Sequence, residues 1–396
     1  MHRRHFLQTI VPASTLIAAL PNQVNSASIT QYASNEEVLN RYPPNIQQLI
    51  LNILKADYKK VNSDWDGSIK MESLLGVANK GYKLGYEYVR QWFYYRMGND
   101  KQLTDEQFNQ LYDGNKARIV REGPLVFSIY SAMLGVAFPI HELYKIDKDK
   151  NAHQVCFDVA DAVLHYASRD KFGMLAHDDN NFEAFAIPDT AYWATRATAI
   201  AASLSKGNLA EVYWKQAVFQ LTQGIKYFYD EKLGIVRTGL FNSKPSQTYW
   251  CRSQGWLMWA IVGLLRYLPE NHPQFNFFAT KLNNITKGLQ QYQSNNGALH
   301  VLVNDITTPE EVTSTAMVLA TVKEAMRKKW IPKDYNSFCD KAWKFILSCV
   351  DENGKVTNAY TGWAVPAENK QVHLIDHKVY GYVPGIVLKA ANEMIN

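Results

Sequence analysis

Apolar side chains return every three or four residues along most of this chain, over 46–59, 71–97, 125–143, 155–167, 189–204 and 211–229, and again over 255–268, 275–292, 310–326, 336–349 and 385–394. That spacing lays them along one face of an α-helix, and a shorter helix is expected over 359–363. Strand-like alternation is scarce. The pattern predicts about twelve helices recurring roughly every 30 residues, as in helix pairs that stack side by side and bury a stripe against their neighbours. Pro188 pre-orders the chain entering a helix, with Asp189 as the expected N-cap, and Pro269, Pro273, the Asn295-Asn296-Gly297 turn and Asp351-Glu352-Asn353-Gly354 delimit later helices. No Gly/Ser-rich linker divides 29–396, so the expected architecture is all-α, a single (α/α)6 toroid; a bundle or an irregular superhelix gives nearly the same local pattern.

Residues 1–28 differ. Arg3 and Arg4 precede an apolar run over 10–20 and then a polar stretch without periodicity, the three regions of an export leader. Arg3-Arg4-x-Phe6-Leu7 resembles the twin-arginine bacterial signal, so a periplasmic or extracellular location and an encounter with the export machinery are expected. The apolar run is short for a stable membrane span, and no later stretch is long and apolar enough to be one.

Composition narrows the chemistry. Apolar residues make up 47% and charged residues 20%, and 23 Tyr, 17 Phe and 10 Trp supply aromatic surface of the kind that carbohydrate grooves use. A formal net charge of +5 without a Lys/Arg-rich stripe argues against nucleic acid as partner and is compatible with a small anion. Cys156, Cys251, Cys339 and Cys349 form no close metal-binding cluster and are expected to be buried thiols, although export would permit a disulfide. There is no compact His-Glu-x-x-His site and no phosphate loop, and no cofactor is expected.

Two constellations carry candidate chemistry. Asp189 opens a helix bearing Tyr192, Trp193 and Arg196, offsets that gather on one side; this is a carboxyl group against an aromatic wall, or a cap followed by core aromatics. Trp250, Arg252 and Trp256 span a predicted loop-to-helix boundary where Gly255 would permit a close turn. The indoles can cover a sugar face while the guanidinium forks onto a carboxylate, or the Arg ties loops together beside two core Trp residues. Gln254 is a candidate substrate acceptor or a loop brace. His177, in His177-Asp178-Asp179, is a candidate on the same rim.

Ile187-Pro188-Asp189-Thr190-Ala191-Tyr192, Thr238-Gly239 and Tyr249-Trp250-Cys251-Arg252-Ser253-Gln254-Gly255-Trp256 together resemble the unsaturated rhamnogalacturonyl and glucuronyl hydrolases, glycoside hydrolase families 105 and 88. Trp65-Asp66-Gly67, the segment from Glu311 to Ala316 and Tyr380-Gly381-Tyr382-Val383-Pro384-Gly385 follow in the order of that family's motifs. The resemblance implies an (α/α)6 fold and an anionic oligosaccharide substrate ending in a 4,5-unsaturated uronic acid. It also implies Asp189 as general acid/base, with Trp250, Arg252 and Trp256 shaping the pocket. A second carboxylate is expected at Glu122, with Asp113 as the alternative, though neither has the family's local wording; Glu311 is a candidate for sugar hydroxyls or an ordinary first-turn carboxylate. Residues 227–231 hold no His where the family more often has a substrate-contacting one, and Ser253-Gln254 also departs from its wording.

Three other readings stay open on these residues. A polysaccharide lyase would use Arg252 to neutralise a uronate and Tyr249 or His177 to move the proton. A conventional glycosidase would need a second carboxylate at a defined distance. A noncatalytic oligosaccharide-binding protein would use the same aromatic and cationic pocket without turnover.

Overall fold

The computed structural model describes residues 35–112, 118–177, 185–241, 243–360 and 381–395. Residues 1–28, where an export leader is expected, Asp113, Asp178 and Asp179 lie outside the described residues, as does all but the start of the helix expected over 359–363. What is described is helical, with only two-residue strands between helices.

The helices are α1 (Asn35–Leu39), α2 (Pro44–Lys55), α3 (Trp65–Ala78), α4 (Lys83–Asn99), α5 (Asp105–Leu111), α6 (Ala137–Asp147) and α7 (Lys150–Asp161). They continue as α8 (Pro188–Leu204), α9 (Gly207–Phe228), α10 (Cys251–Leu265), α11 (Phe275–Gln290), α12 (Val312–Arg327), α13 (Asn336–Ser348) and α14 (Val383–Met394). Helices α3, α6, α8, α10, α12 and α14 pack each on the next, and α14 packs back on α3, closing an inner ring. Outside it lie α2, α4, α7, α9, α11 and α13. This alternation is the (α/α)6 toroid that the helix-pair pattern predicts.

Sequence explains which helix goes where. In α11 the buried residues include Phe275, Phe278, Leu282, Ile285 and Leu289, a stripe at helical spacing that suits an outer helix with one face in water. All 15 residues of α10 are buried, and α8 is buried along almost its whole length through Ala and Thr. Such helices have neighbours on every side. Small residues let those neighbours come close: a Cβ on Gly255 would lie 2.7 Å from the Cβ of Met317, so α10 meets α12 through that glycine. Gly255 therefore sits inside a helix that has already begun at Cys251, rather than in the close turn expected there.

Three other expectations are corrected. The apolar run over 71–97 is two helices, because Gly81 takes φ 105° in the turn between α3 and α4, a conformation that other residues resist. The run over 125–143 begins as an extended pair at Phe127–Ser128 and a 3-10 segment at Ser131–Val136 before α6 starts. Asp189 is not the cap of α8: Ile187 holds that position, Pro188 follows it, and Asp189 is the second helical residue.

Candidate active site

The N-terminal ends of α3, α8, α10 and α14, with the segment before α6, surround a cavity of about 530 Å³. Their free amide ends give that mouth a positive bias suited to an anion. Asp189, Trp193, Trp250, Arg252, Trp256 and His177 all line it, so the two constellations read from the sequence do meet.

The Arg252 wall is built locally. The backbone amide of Cys251 donates to Val301 O at 2.9 Å and that of Val303 to Tyr249 O at 2.9 Å, holding the start of α10 against a neighbouring loop. Gln254 braces it from below, accepting from Val236 N at 2.7 Å and donating to Val236 O at 2.5 Å and Trp250 O at 3.2 Å. Arg252 is only 6% exposed, its guanidinium 4.1 Å from the Trp250 ring centroid, with Nη1 donating to the Tyr382 hydroxyl. Tyr382 leans on Trp65 at 4.3 Å, and Trp65 meets Trp256 edge-on at 6.1 Å. Trp193 and Trp256 lie 5.1 Å apart, and Phe138 stacks behind Trp193 at 5.7 Å.

Asp189 Oδ1 and Arg252 Nε are both buried with no hydrogen-bond partner among the described residues. Native interiors seldom leave such atoms unpaired, so two of them on one cavity point to a ligand that completes them. Burial pushes the Asp189 carboxyl up to about 7, against the opposing pull of Arg252. A carboxyl in that range holds and releases a proton near neutrality.

Across the cavity, the hydroxyl of Tyr130 and Nε2 of His177 are 3.5 Å apart, and Ser131 Oγ donates to the His177 carbonyl at 2.9 Å. Asp64 lines the same space, accepting from Asn62 Nδ2 at 2.7 Å and Gly67 N at 3.2 Å. Burial and the neighbouring Asp66 push its carboxyl up to about 7. Asp64, Asn62 and Tyr130 carried no signal in the sequence: an Asp before a helix reads as a cap, which Asp64 also is.

Other expected site residues lie elsewhere. Glu122 is outside the cavity lining, its carboxylate accepting from Arg121 N at 3.0 Å in a partly exposed loop. Glu311 is fully buried and caps α12, accepting from Thr313 N at 3.0 Å and Ser314 N at 2.6 Å, so its oxygens serve the helix. Tyr249 donates to Asp230 Oδ2 at 2.6 Å behind the wall. Tyr192 lies beneath Trp193 and Trp256, at 4.7 and 5.5 Å. Gln254 is the loop brace described above. The four cysteines are buried free thiols. No group of His, Cys, Asp and Glu among the described residues is arranged to hold a metal ion, and no described helix is long and apolar enough to cross a membrane.

A second cavity, of about 440 Å³, opens among the C-terminal ends of α6, α10, α12 and α14. Its charges answer one another: Arg266 pairs with Glu324 at 2.5 Å, Arg327 with Glu393 at 2.9 Å and Lys389 with Glu72 at 2.8 Å. The atoms left unsatisfied on Asp189 and Arg252 are at the other cavity, which marks that one as the candidate.

A helical toroid with an acidic group, a guanidinium and stacked indoles at the N-terminal mouth of its inner ring is the build of a carbohydrate-active enzyme. Residues 55–396 match the model of Glycosyl Hydrolase Family 88, and the chain belongs to that family and is a glycoside hydrolase. It is 24% identical over 257 residues to the unsaturated rhamnogalacturonyl hydrolase YesR of Bacillus subtilis, covering 62% of this chain and 71% of that one. Among solved structures it superposes on a possible member of glycoside hydrolase family 105 from Salmonella enterica at a TM-score of 0.73, with 15% identity, 92% of this chain and 95% of that one covered. A family 88 glycosyl hydrolase from Bacteroides vulgatus gives a TM-score of 0.69 with 17% identity over 92% and 99% of the two chains. At these identities the superpositions speak for the fold.

Proposed function

We propose that this protein hydrolyses short oligosaccharides ending in a 4,5-unsaturated uronic acid, with Asp189 as general acid and then base. The observation that carries the reading is the pair of unsatisfied buried atoms, Asp189 Oδ1 and Arg252 Nε, on one aromatic-walled cavity. The likeness to a hydrolase named for unsaturated rhamnogalacturonyl substrates supports it.

The chemistry follows from the groups. The uronate carboxylate sits against Arg252, a planar anion on a planar cation, and the sugar face lies on the indoles. Protonated Asp189 gives its proton to C4 of the vinyl ether, and positive charge develops at C5 and the ring oxygen. Water adds at C5 and returns a proton to the Asp189 carboxylate. The resulting hemiketal opens, and the adjoining sugar leaves from C1. No step needs a cofactor.

Following the alkene absorbance of unsaturated disaccharides with the intact protein and with Asp189→Asn tests this directly. Loss of signal with the intact protein alone supports the assignment. A signal that persists with folded protein overturns it, and a signal that grows from saturated substrate indicates a lyase.

The same proposal places the enzyme outside the cytoplasm, where polysaccharide fragments arise, on the strength of the Arg3-Arg4 leader. Cell fractionation of the wild-type and Arg3→Lys/Arg4→Lys precursors tests it; a cytoplasmic wild-type enzyme refutes it.

A further inference from the structure

In the inner ring α3 and α10 stand three places apart, on opposite sides of the cavity. Arg252 rises from the start of α10, and Asp64 and Asp66 from the start of α3. The two carboxyls differ in their ties. Asp66 is 3.3 Å from Lys70, one turn along α3, whereas Asp64 is held by two neutral donors, Asn62 Nδ2 and Gly67 N. The cavity of about 530 Å³ is thus lined by a cation at the start of α10 and by carboxyls at the start of α3. A ligand of disaccharide size that gives its uronate to Arg252 shares the cavity with Asp64.

We propose that Asp64, aided by Asp66, makes the enzyme select an uncharged or amine-bearing sugar next to the unsaturated uronate and reject a second uronate there. The inference rests on the proposed uronate position at Arg252. Its physical basis is direct once Asp64 has lost its proton, above about pH 7: a carboxylate on the second ring would then approach it across a low-dielectric space, where like charges repel more strongly than in water. A sugar hydroxyl or ammonium donates to the same oxygens instead.

The test compares kcat/KM on unsaturated uronyl disaccharides whose second ring is a neutral hexose, a glucosamine with a free amine or a uronate. The enzymes are wild type, Asp64→Asn and Asp66→Asn. Asn also caps helices well, so the Asp64 variant keeps α3 started. At pH 8, where Asp64 is mostly ionised, the neutral and amine substrates are expected to exceed the uronate one by about tenfold in the wild type. That ratio should shrink at least about threefold in Asp64→Asn and fall in the wild type as pH is lowered from 8 to 6, where Asp64 takes up its proton. Equal rates on all three, or a ratio unmoved in both variants, overturns the proposal. Binding of the same disaccharides, read by tryptophan quenching, separates it from the hydrolase reading. Selective binding of the uncharged and amine forms without turnover sinks the hydrolysis and upholds the selection; turnover of all forms alike does the reverse.

Discussion

Nη1 of Arg196 donates to the Tyr192 hydroxyl at 2.8 Å, one turn away on α8. The same guanidinium reaches Glu72 on α3 at 2.5 Å and lies 4.3 Å from the Phe138 ring centroid. Tyr192 and Phe138 are the layer directly beneath Trp193 and Trp256, so one buried ion pair between α3 and α8 fixes the floor of the cavity. Burial alone would raise the Glu72 carboxyl, but Arg196, Lys389 and Arg266 together hold it well below the usual range. Removing one member of such a cluster leaves the others uncompensated.

Glu72→Gln is therefore expected to cost about 3–5 kcal/mol of folding stability, the range for breaking a buried ion pair. Urea denaturation of the variant measures it. A loss under about 1 kcal/mol would mean that water already screens the cluster.

The rate should follow the Asp189 proton. Burial has moved this carboxyl up to about 7, so its acid form prevails below that pH and disappears as pH rises through it. An enzyme that must first donate a proton then loses kcat/KM about tenfold per pH unit above 7. A pH profile that stays flat from 6 to 9 would remove Asp189 from the acid role.

Arg252→Lys keeps the positive charge and loses the fork. The ammonium cannot satisfy a carboxylate in two places or lie flat against Trp250, so kcat/KM should fall about 10- to 100-fold. The loss should be smaller for a substrate analogue in which the uronate carboxyl is an amide. Equal losses on acid and amide would assign Arg252 to holding Tyr382 alone.

What could be read from the sequence, and what could not, divides by distance along the chain. Trp250, Arg252 and Trp256 were legible because one short segment carries all three, and Asp189 because a Pro-Asp start marks a helix entrance. Asp64 was not legible: it shares a cavity with Arg252 only because α14 closes on α3, a relation between the two ends of the chain that no local pattern records. Glu311 misled for a different reason. A carboxylate at the start of a helix looks the same whether it binds a ligand or the helix's own amides, and here Thr313 and Ser314 take both oxygens. The ring itself was legible in outline from the outer helices, whose stripes are regular. Inner helices such as α10, apolar on every face, announce burial without announcing a neighbour.

Lys389 gives the fold a pH dependence opposite to that of the activity. Its ammonium lies 2.8 Å from Glu72 and 4.6 Å from the Trp259 ring centroid, with Arg196 and Arg266 close by. Burial lowers it from 10.5 to about 8, against the pull of Glu72. Below pH 8 both the folded and unfolded chains carry this proton, and its contribution is constant. Between about 8 and 10.5 the unfolded chain still binds it while the folded chain has lost it, so the Lys389 contribution to stability rises with pH. The gain expected between pH 7.5 and 9.5 is about 2 kcal/mol. From about pH 9 the buried thiols of Cys156, Cys251, Cys339 and Cys349, and above pH 10 buried tyrosines such as Tyr192, pull the other way, because burial raises them and the unfolded chain ionises first. Lys389→Met leaves Glu72 to Arg196 and Arg266 and should fall behind the wild type by about that gain as pH rises, since the thiols and Lys80, also lowered by burial, are common to both. Urea unfolding at pH 7.5, 8.5 and 9.5 decides it: parallel slopes in wild type and variant would show that the ammonium keeps its proton in the folded protein.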